Sequence, residues 1–427
     1  GVAEDLTAEG RETAMNAAES LAGKALRVLA FAHLEDADLE AGSSFDEFNQ
    51  QLTLLGLVGE MDPPREEVKI SVSQCQQAGM RPVMVTGDHK TTGLEVAKML
   101  GIARQGDWAI DGHELQMMPE HELRENIHRI AVFARVHPAQ KLRIVEALQS
   151  RGEVVAMTGD GVNDAPALSR ADVGVAMGET GTEVAKSAAE IVITDDNFAT
   201  IVDAVKEGRL VYRNLRKVIL YLFATSMAEI AVLLAALLLG YPLPLAAVQI
   251  LWINIVTEGT VTINLIMEPP EGDEMRQKPV GMNRPLLGFD MLKRVALMTP
   301  VMALSTFAYF AWRFGQDVSY AQVQTETFTV LAACQWFNVL NCQSETRSVF
   351  RFGLLRNRWM LGGLTLSLAL QLTVIYWPAI NKLFHTVPIA PGQFFVILAV
   401  ASLVLWAEEI RKYLANKARI SSGMTVA

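Results

Sequence analysis

Two Thr-Gly-Asp tripeptides, Thr86-Gly87-Asp88 and Thr158-Gly159-Asp160, each follow a short apolar run, Pro82-Val83-Met84-Val85 and Val154-Val155-Ala156-Met157. A Thr hydroxyl and free backbone N–H groups suit a phosphate, and Gly lets the backbone approach it closely. The second tripeptide continues as Gly161-Val162-Asn163-Asp164-Ala165-Pro166. Asp160 and Asp164, with Asn163 between them, suit a hard Mg²⁺ beside a phosphate. Lys141 offers a cation to offset the charge of a transferring phosphoryl group. A single Thr-Gly-Asp reads more simply as an ordinary turn with a solvated Asp. Two copies at two strand ends favour phosphate chemistry.

A second set of polar residues lies inside apolar runs. Glu229 interrupts the first, and a carboxylate there is costly unless it meets a cation or a proton. Ser226 and Thr225 precede it by three and four residues, so they share its helical face. The next run carries Asn254, Thr257 and Glu258 at similar spacing, and Gly259 follows, where the helix can loosen and free carbonyls. A short Tyr241-Pro242-Leu243-Pro244 turn joins the runs and sets Glu229 and Glu258 against each other. Hard oxygen ligands of this kind suit Ca²⁺, and also Mn²⁺, Mg²⁺ or Na⁺. The plainer alternative is a polar helix–helix contact or a proton-bearing pair.

The elements that must hold these residues divide the chain. Of its 427 residues 51% are hydrophobic, which is high for a soluble enzyme, and the excess falls from Val218 onward. Spans of about 20 apolar residues read as six: Val218–Leu239, Leu245–Met267, Met291–Phe314, Phe328–Leu340, Met360–Ile380 and Phe394–Tyr413. The fourth is short and carries Gln335, Asn338 and Asn341, which cannot face lipid. Basic residues gather after the second span (Arg276, Lys278, Arg284, Lys293, Arg294), after the fourth (Arg347, Arg351, Arg356, Arg358) and in the tail (Arg411, Lys412, Lys417, Arg419). Both ends of the segment are therefore expected on the cytosolic side. Trp252, Trp359 and Trp377 near span ends read as interfacial anchors, and Glu408-Glu409 as solvated.

In the first half, strand–turn–helix alternation argues for a parallel sheet covered by helices on both faces, with ligands at the C-terminal strand ends. Helices are expected over Thr92–Leu100, Ala139–Ser150 and Ala165–Ser169, and a further strand at Val173–Ala176. The net charge of −10 argues against a nucleic-acid partner. Cys75, Cys334 and Cys342 have no zinc or disulfide spacing.

The run Met157-Thr158-Gly159-Asp160-Gly161-Val162-Asn163-Asp164-Ala165-Pro166-Ala167-Leu168 resembles the hinge motif of P-type cation-transporting ATPases. Asp62-Pro63-Pro64-Arg65 resembles the start of the family's returning phosphorylation segment, and Val85-Thr86-Gly87-Asp88 its phosphate loop. Phe133-Ala134-Arg135-Val136-His137-Pro138 with Lys141 resembles the segment bearing the phosphate-site lysine. The resemblance runs from about Leu26 to the C-terminus and is closest to the calcium-pump branch, including its bacterial members. It implies a haloacid-dehalogenase-like domain that uses ATP and Mg²⁺. Asp160 would ligate Mg²⁺, supported by Asp164 and Asn163. Thr86, Gly87 and Asp88 would hold the phosphoryl group, Lys141 would offset its charge, and Arg27 in Leu26-Arg27-Val28-Leu29-Ala30 would reach toward ATP. The implied boundaries are 1–58 for the remainder of a nucleotide domain, 59–205 for the phosphorylation domain, 206–420 for a six-span membrane domain and 421–427 for a tail.

The family's D-K-T-G-T motif does not occur; Asp88-His89-Lys90-Thr91-Thr92-Gly93 has an insertion and belongs to the Thr-Gly-Asp loop. The chain therefore reads as a fragment or split half whose missing N-terminal part supplies the phosphorylated Asp. Glu229, Asn254 and Thr257 match the family's calcium ligands. Glu258 stands in place of an Asp, Ser226 in place of an Asn, and Gln335 in place of a Glu. Fewer anionic ligands imply one divalent ion per cycle, or another ion. The expected function is ATP-driven export of a cation, Ca²⁺ before Mn²⁺, Mg²⁺ or Na⁺, across a plasma (inner) membrane. The alternatives are a membrane-anchored phosphatase of the same fold and an inactive ion-binding remnant.

Overall fold

The computed structural model describes residues 5–23, 26–34, 52–60, 64–281, 285–352 and 356–421. They form two compact units, Gly1–Lys206 with Asp273–Asn283, and Glu207–Gly272 with Arg284–Ala427. Asp62 and Pro63 of the expected returning segment lie outside the described residues.

The first unit opens with helix α1 (Ala8–Ala22), capped by Thr7, and an antiparallel pair, β1 (Arg27–His33) and β2 (Thr53–Glu60). An alternating run follows: α2 (Glu66–Gln77), β3 (Met84–Thr86), α3 (Lys90–Met99), β4 (Trp108–Asp111), α4 (Gly112–Met117), α5 (Glu120–Asn126), β5 (Ile130–Ala134) and α6 (Pro138–Gln149). It continues with β6 (Ala156–Gly159), α7 (Ala165–Arg170), β7 (Val173–Met177), α8 (Glu183–Ala188) and β8 (Ile191–Ile193). All ladders from β3 onward are parallel.

The sequence pointed to one sheet. From β3 onward the described strands form two sheets of three strands each, ordered β3-β5-β4 and β6-β7-β8. The two Thr-Gly-Asp strands, β3 and β6, are each an edge, so each leaves one side of its ladder unpaired among the described strands. Central β5 is buried along its whole length, as expected of a strand covered on both faces. Its Ile130 and Phe133 pack with Leu115, Leu123, Ile127 and Ile144, while Ala131 and Val132 join a separate core with Ala97, Ala103 and Ala109. Both key strands start and end later than the apolar runs suggest. Pro82, which has no N–H to donate, stands outside β3, and the ladders extend into Thr86 and Gly159.

The second unit is helical: α9 (Phe198–Leu238, whose first residues belong to the first unit), α10 (Ala247–Trp252), a π-helical segment (Ile253–Thr257), α11 (Glu258–Ile266), α12 (Phe289–Phe314), α13 (Tyr320–Cys342), α14 (Arg358–Tyr376), α15 (Pro391–Ala401) and α16 (Leu403–Ser421). Among the described residues four helical segments are long and apolar enough to cross a bilayer: Phe198–Leu238, Phe289–Phe314, Arg358–Tyr376 and Pro391–Ala418. They correspond to the first, third, fifth and sixth expected spans. The other two are helical but fall short for physical reasons. The second is divided by the π-helical segment. The fourth, α13, is rich in buried polar groups, including Thr325, Glu326, Thr329, Gln335, Asn338 and Asn341. Such a helix suits the interior of a bundle, where neighbours rather than lipid meet the polar side chains.

One smaller expectation is corrected. Glu408 is fully buried between Arg294 and Arg411, and Glu409 accepts from Lys412 and from the Val349 N–H. They are internal ion pairs, not solvated charges. Trp252 is half-buried and packs edge-on against Phe384 at 4.8 Å, unlike the exposed Trp359 and Trp377.

Candidate functional site

At the end of β3, the Thr86 hydroxyl accepts the Asp88 N–H at 3.1 Å and lies 3.2 Å from its carboxylate. This closes a tight turn in which Gly87 and Asp88 are exposed. The Arg135 N–H donates to the Thr86 carbonyl at 2.8 Å, and Arg135 itself has a φ of +48°, uncommon for a residue with a side chain. The turn thus leads from a buried sheet into α3 with its polar groups at the surface.

The turn at the end of β6 is organised around Asp164. Its carboxylate accepts the Lys141 ammonium at 2.5 Å, the Gly161 N–H at 3.1 Å and the Asp160 N–H at 3.3 Å. A Cβ on Gly159 would stand 2.5 Å from the Asp164 Cβ, so only glycine permits this closure. Asp164 is 5% exposed, whereas the Asp160 and Asn163 side chains are exposed. Asp164 therefore shapes the loop and holds Lys141, while Asp160 and Asn163 remain open to solvent. An exposed carboxylate and amide beside a held ammonium fit Mg²⁺ and a phosphate.

The structure brings Lys141, Asp160, Asn163 and Asp164 together. Thr86, Gly87 and Asp88 form their own turn at the end of the other sheet, and among the described residues no hydrogen bond joins the two turns. Arg27 begins β1, and its side chain lies outside the described residues.

A support behind Asp160 was not foreseen. The Thr182 N–H donates to the Asp160 carbonyl at 2.8 Å. The loop leading to Thr182 is pinned by Asp196, whose carboxylate accepts the Thr180 hydroxyl and the N–H groups of Gly178, Glu179 and Thr180. The Thr180 hydroxyl first, and then these backbone donors, hold the Asp196 carboxyl down to about 2.

In the second unit, Glu229 of α9 and Glu258 at the start of α11 share one donor. The Gln335 amide nitrogen lies 3.1 Å from Glu229 Oε1 and 3.4 Å from Glu258 Oε1. The Thr225 hydroxyl donates to Glu258 at 2.6 Å, and the Asn254 amide reaches Glu229. Thr225, Thr257, Glu229, Glu258 and Gln335 are all buried. Ser226 is half-buried on the turn before Glu229; its neighbour Thr225 makes the contact expected of that turn.

The helix irregularity falls at Ile253–Thr257, one turn earlier than the Gly259 expected from sequence, and Gly259 sits within α11 with open space around it. A π-helical turn widens the backbone and often marks a functional site. It carries Asn254 and Thr257. Helices α9, α11 and α13 thus bring together the Glu229 and Glu258 carboxylates, the Gln335 amide and the Thr225 hydroxyl, while Asn254 on the π turn is exposed and Thr257 is buried with no hydrogen bond from its hydroxyl to either carboxylate among the described residues. Thr225 is the functional candidate that sequence underrated. Its spacing put it on the correct face, but only the packing shows which hydroxyl faces Glu258.

Comparison with known proteins covers both units. Residues 242–414 match the family model of the cation-transporting ATPase C-terminus, and residues 2–172 and 140–205 match haloacid dehalogenase-like hydrolase models. A calcium-transporting ATPase of Bacillus subtilis is 43% identical over 389 residues, covering 90% of this chain and 43% of the relative. A calcium-transporting ATPase 1 of Schizosaccharomyces pombe is 38% identical, covering 97% of this chain and 45% of the relative. A protein of Mycobacterium bovis named "Probable cation-transporting ATPase F" is 40% identical, covering 92% and 44%. The chain spans less than half the length of these relatives. With a dehalogenase-like fold bearing the Asp160 loop and an apolar helical bundle bearing paired glutamates, it belongs to the family of P-type cation-transporting ATPases.

Proposed function

We propose that this chain is part of an ATP-driven cation pump working through an aspartyl-phosphate cycle, and that the transported ion is Ca²⁺. The observation that carries the reading is the pair Glu229 and Glu258, buried in apolar helices and drawn to one Gln335 amide. Two carboxylates are kept this close in a low-dielectric bundle when a cation is to lie between them. Oxygen donors alone favour a hard ion, and the names of the relatives favour Ca²⁺. Gln335 contributes no charge, so two carboxylates here balance one divalent ion per cycle.

In the first unit, a bound Mg²⁺ would neutralise phosphoryl oxygens. Asp160 and Asn163 are the open groups to hold it, and Asp164 keeps them in place while pairing with Lys141. The Lys141 ammonium is positioned to offset charge on the phosphoryl group. Thr86 and Gly87 supply hydroxyl and amide donors, with Asp88 ordering the turn. Arg27 is assigned to ATP. The phosphorylated Asp belongs to a D-K-T-G-T segment that this sequence does not hold, carried on a strand fitting the unpaired edge of β3 or β6. The chain is assigned domains 1–58, 59–205, 206–420 and 421–427, six spans including α13 and the 247–266 segment, and a plasma-membrane location with both segment ends cytosolic.

The deciding experiment titrates the ATPase activity of the full-length protein with Ca²⁺, Mn²⁺, Mg²⁺ and Na⁺. Activation by Ca²⁺ at the lowest concentration is expected. Glu229→Gln and Glu258→Gln should each raise the half-activating concentration by about tenfold or more, in line with the loss of one charged ligand. Activation left unchanged by both substitutions, for every ion, removes the pair from the transport site.

A further inference from the structure

The end of the bundle where α13 stops and α16 finishes carries a basic and aromatic shelf that cation transport leaves unused. Segment 345–350 lies along α16. Arg411 donates to the Glu345 carbonyl at 2.9 Å, the Asn416 amide to the Thr346 carbonyl at 3.0 Å, and the Val349 N–H to Glu409 at 3.1 Å. The Phe350 ring stacks on Trp406 with centroids 5.8 Å apart, yet 58% of Phe350 and 52% of Trp406 stay exposed.

Cations occupy this end in two layers. The inner layer is neutralised: Arg294 and Arg411 pair with Glu408, and Lys412 with Glu409. The outer layer is not. Arg347, Arg351 and Lys417 are exposed, and among the described residues no carboxylate pairs with them. The Thr346–Asn416 bond brings the chain at Arg347 beside the chain at Lys417, and Arg351 follows Arg347 by four residues.

Depth places this shelf at headgroup level. The Pro391–Ala418 segment has 28 residues. At 1.5 Å per residue that is about 42 Å, longer than the hydrocarbon core of about 30 Å. All of its charged residues, Glu408, Glu409, Arg411, Lys412 and Lys417, fall in the last turns, so that end emerges where aromatic rings and basic side chains meet phosphates.

We propose that Arg347, Arg351 and Lys417, with the Phe350–Trp406 stack, bind the headgroup of an anionic phospholipid. The stacked rings continue the exposed apolar side chains of α16, Leu403, Ile410 and Leu414, and the unpaired cations supply the matching charge. The inner layer ties the shelf to α13, because Arg294 donates to the Asn341 carbonyl and Asn341 to the Val404 carbonyl. Lipid bound here steadies the helix that carries Gln335. The inference rests on the membrane reading of this unit and not on the identity of the transported ion.

The test uses full-length protein reconstituted in phosphatidylcholine vesicles with or without phosphatidylglycerol, then purified in detergent and read by native mass spectrometry for retained lipid. Wild type should retain phosphatidylglycerol over phosphatidylcholine. Each cation of the set Arg347→Gln, Arg351→Gln and Lys417→Gln should weaken that preference about fivefold, with the protein still monodisperse. Lys382→Gln, an exposed cation after α14 at the opposite end of the bundle, should leave it unchanged. Equal retention of both lipids by wild type, or an equal loss in Lys382→Gln, overturns the site. So does matching thermal stabilisation by free phosphate, which would show an anion site without lipid. Release of the wild-type protein from membranes by alkali would overturn the membrane reading itself.

Discussion

Asp164→Asn removes one charge from the centre of the loop that follows β6, and its cost follows from the three hydrogen bonds that Asp164 accepts. One is charge-assisted, from Lys141 at 2.5 Å; the others come from the Gly161 and Asp160 N–H groups. Asn keeps one acceptor oxygen and turns the other position into a donor. That donor must face either the Lys141 ammonium or the backbone N–H groups. Loss of the charged bond costs about 1.5–3 kcal/mol, and a buried donor facing a donor about 1–3 kcal/mol more. The Lys141 side chain is 21% exposed and can rehydrate in part, so the lower half of the sum applies, about 3 kcal/mol. Hydrogen exchange on the full-length protein reads this locally. Protection at Asp160 and Gly161 should fall by about a hundredfold, while β5, in the other sheet, keeps its protection. Lys141→Met keeps the Asp160 and Gly161 N–H bonds to the Asp164 carboxylate, so those two amides should keep more of their protection than in Asp164→Asn. Exchange within about threefold of wild type in Asp164→Asn, on the same scale, would refute the assignment of Asp164 as the pillar of the loop.

Other outcomes follow from the same reasoning. Thr225→Val removes the donor to Glu258 and should weaken cation activation about tenfold, the value of a hydrogen bond to a charged group. Ser226→Ala should change it far less, and the reverse order would return the ligand role to Ser226. Glu408→Ala leaves Arg294 buried without its carboxylate, a loss of about 3–5 kcal/mol, visible as a lower thermal midpoint. The Asp196 carboxyl is held at about 2, below its ordinary value of 3.8, by the Thr180 hydroxyl and three N–H groups. A depressed acid stabilises above its unfolded value, so protection of the Gly178, Glu179 and Thr180 amides should hold at neutral pH and fade as pH drops through about 2. Asp196→Asn should lower that protection already at pH 7 and flatten its acid dependence.

Much of the site chemistry was legible because it is local. Asp160, Asn163 and Asp164 lie within one turn of chain, so spacing alone predicts that they meet. The burial of Asp164 and the exposure of Asp160 were not legible. They depend on Lys141, which arrives from a different helix 23 residues away. Glu229 and Glu258 were conspicuous as charges in apolar runs, and helical spacing put Thr225 and Ser226 on the same face. Choosing between those two hydroxyls required the rotation of α9 against α11, a property of packing. The strand pairing was hidden for a similar reason. Alternation predicts parallel strands but says nothing of which edge meets which, and β3 and β6 prove to be edges of separate sheets.

Polar residues in apolar segments carried two different meanings, and composition alone does not separate them. Glu408 and Glu229 are both buried carboxylates in apolar helices. Glu408 faces Arg294 and Arg411, so its charge is matched within the protein and its role is to hold helices together. Glu229 faces the Gln335 and Asn254 amides and the neighbourhood of a second carboxylate. No Lys or Arg pairs with it or with Glu258 among the described residues. A buried acid whose neighbours are neutral donors and another acid has an unmet need for positive charge. The same test sorts Glu326, which is fully buried but held by Arg313 at 2.6 Å and by the Tyr309 hydroxyl. Of these buried acids, Glu229 and Glu258 alone have no Lys or Arg partner among the described residues, and that unmatched charge is what supports the proposal of a cation between them.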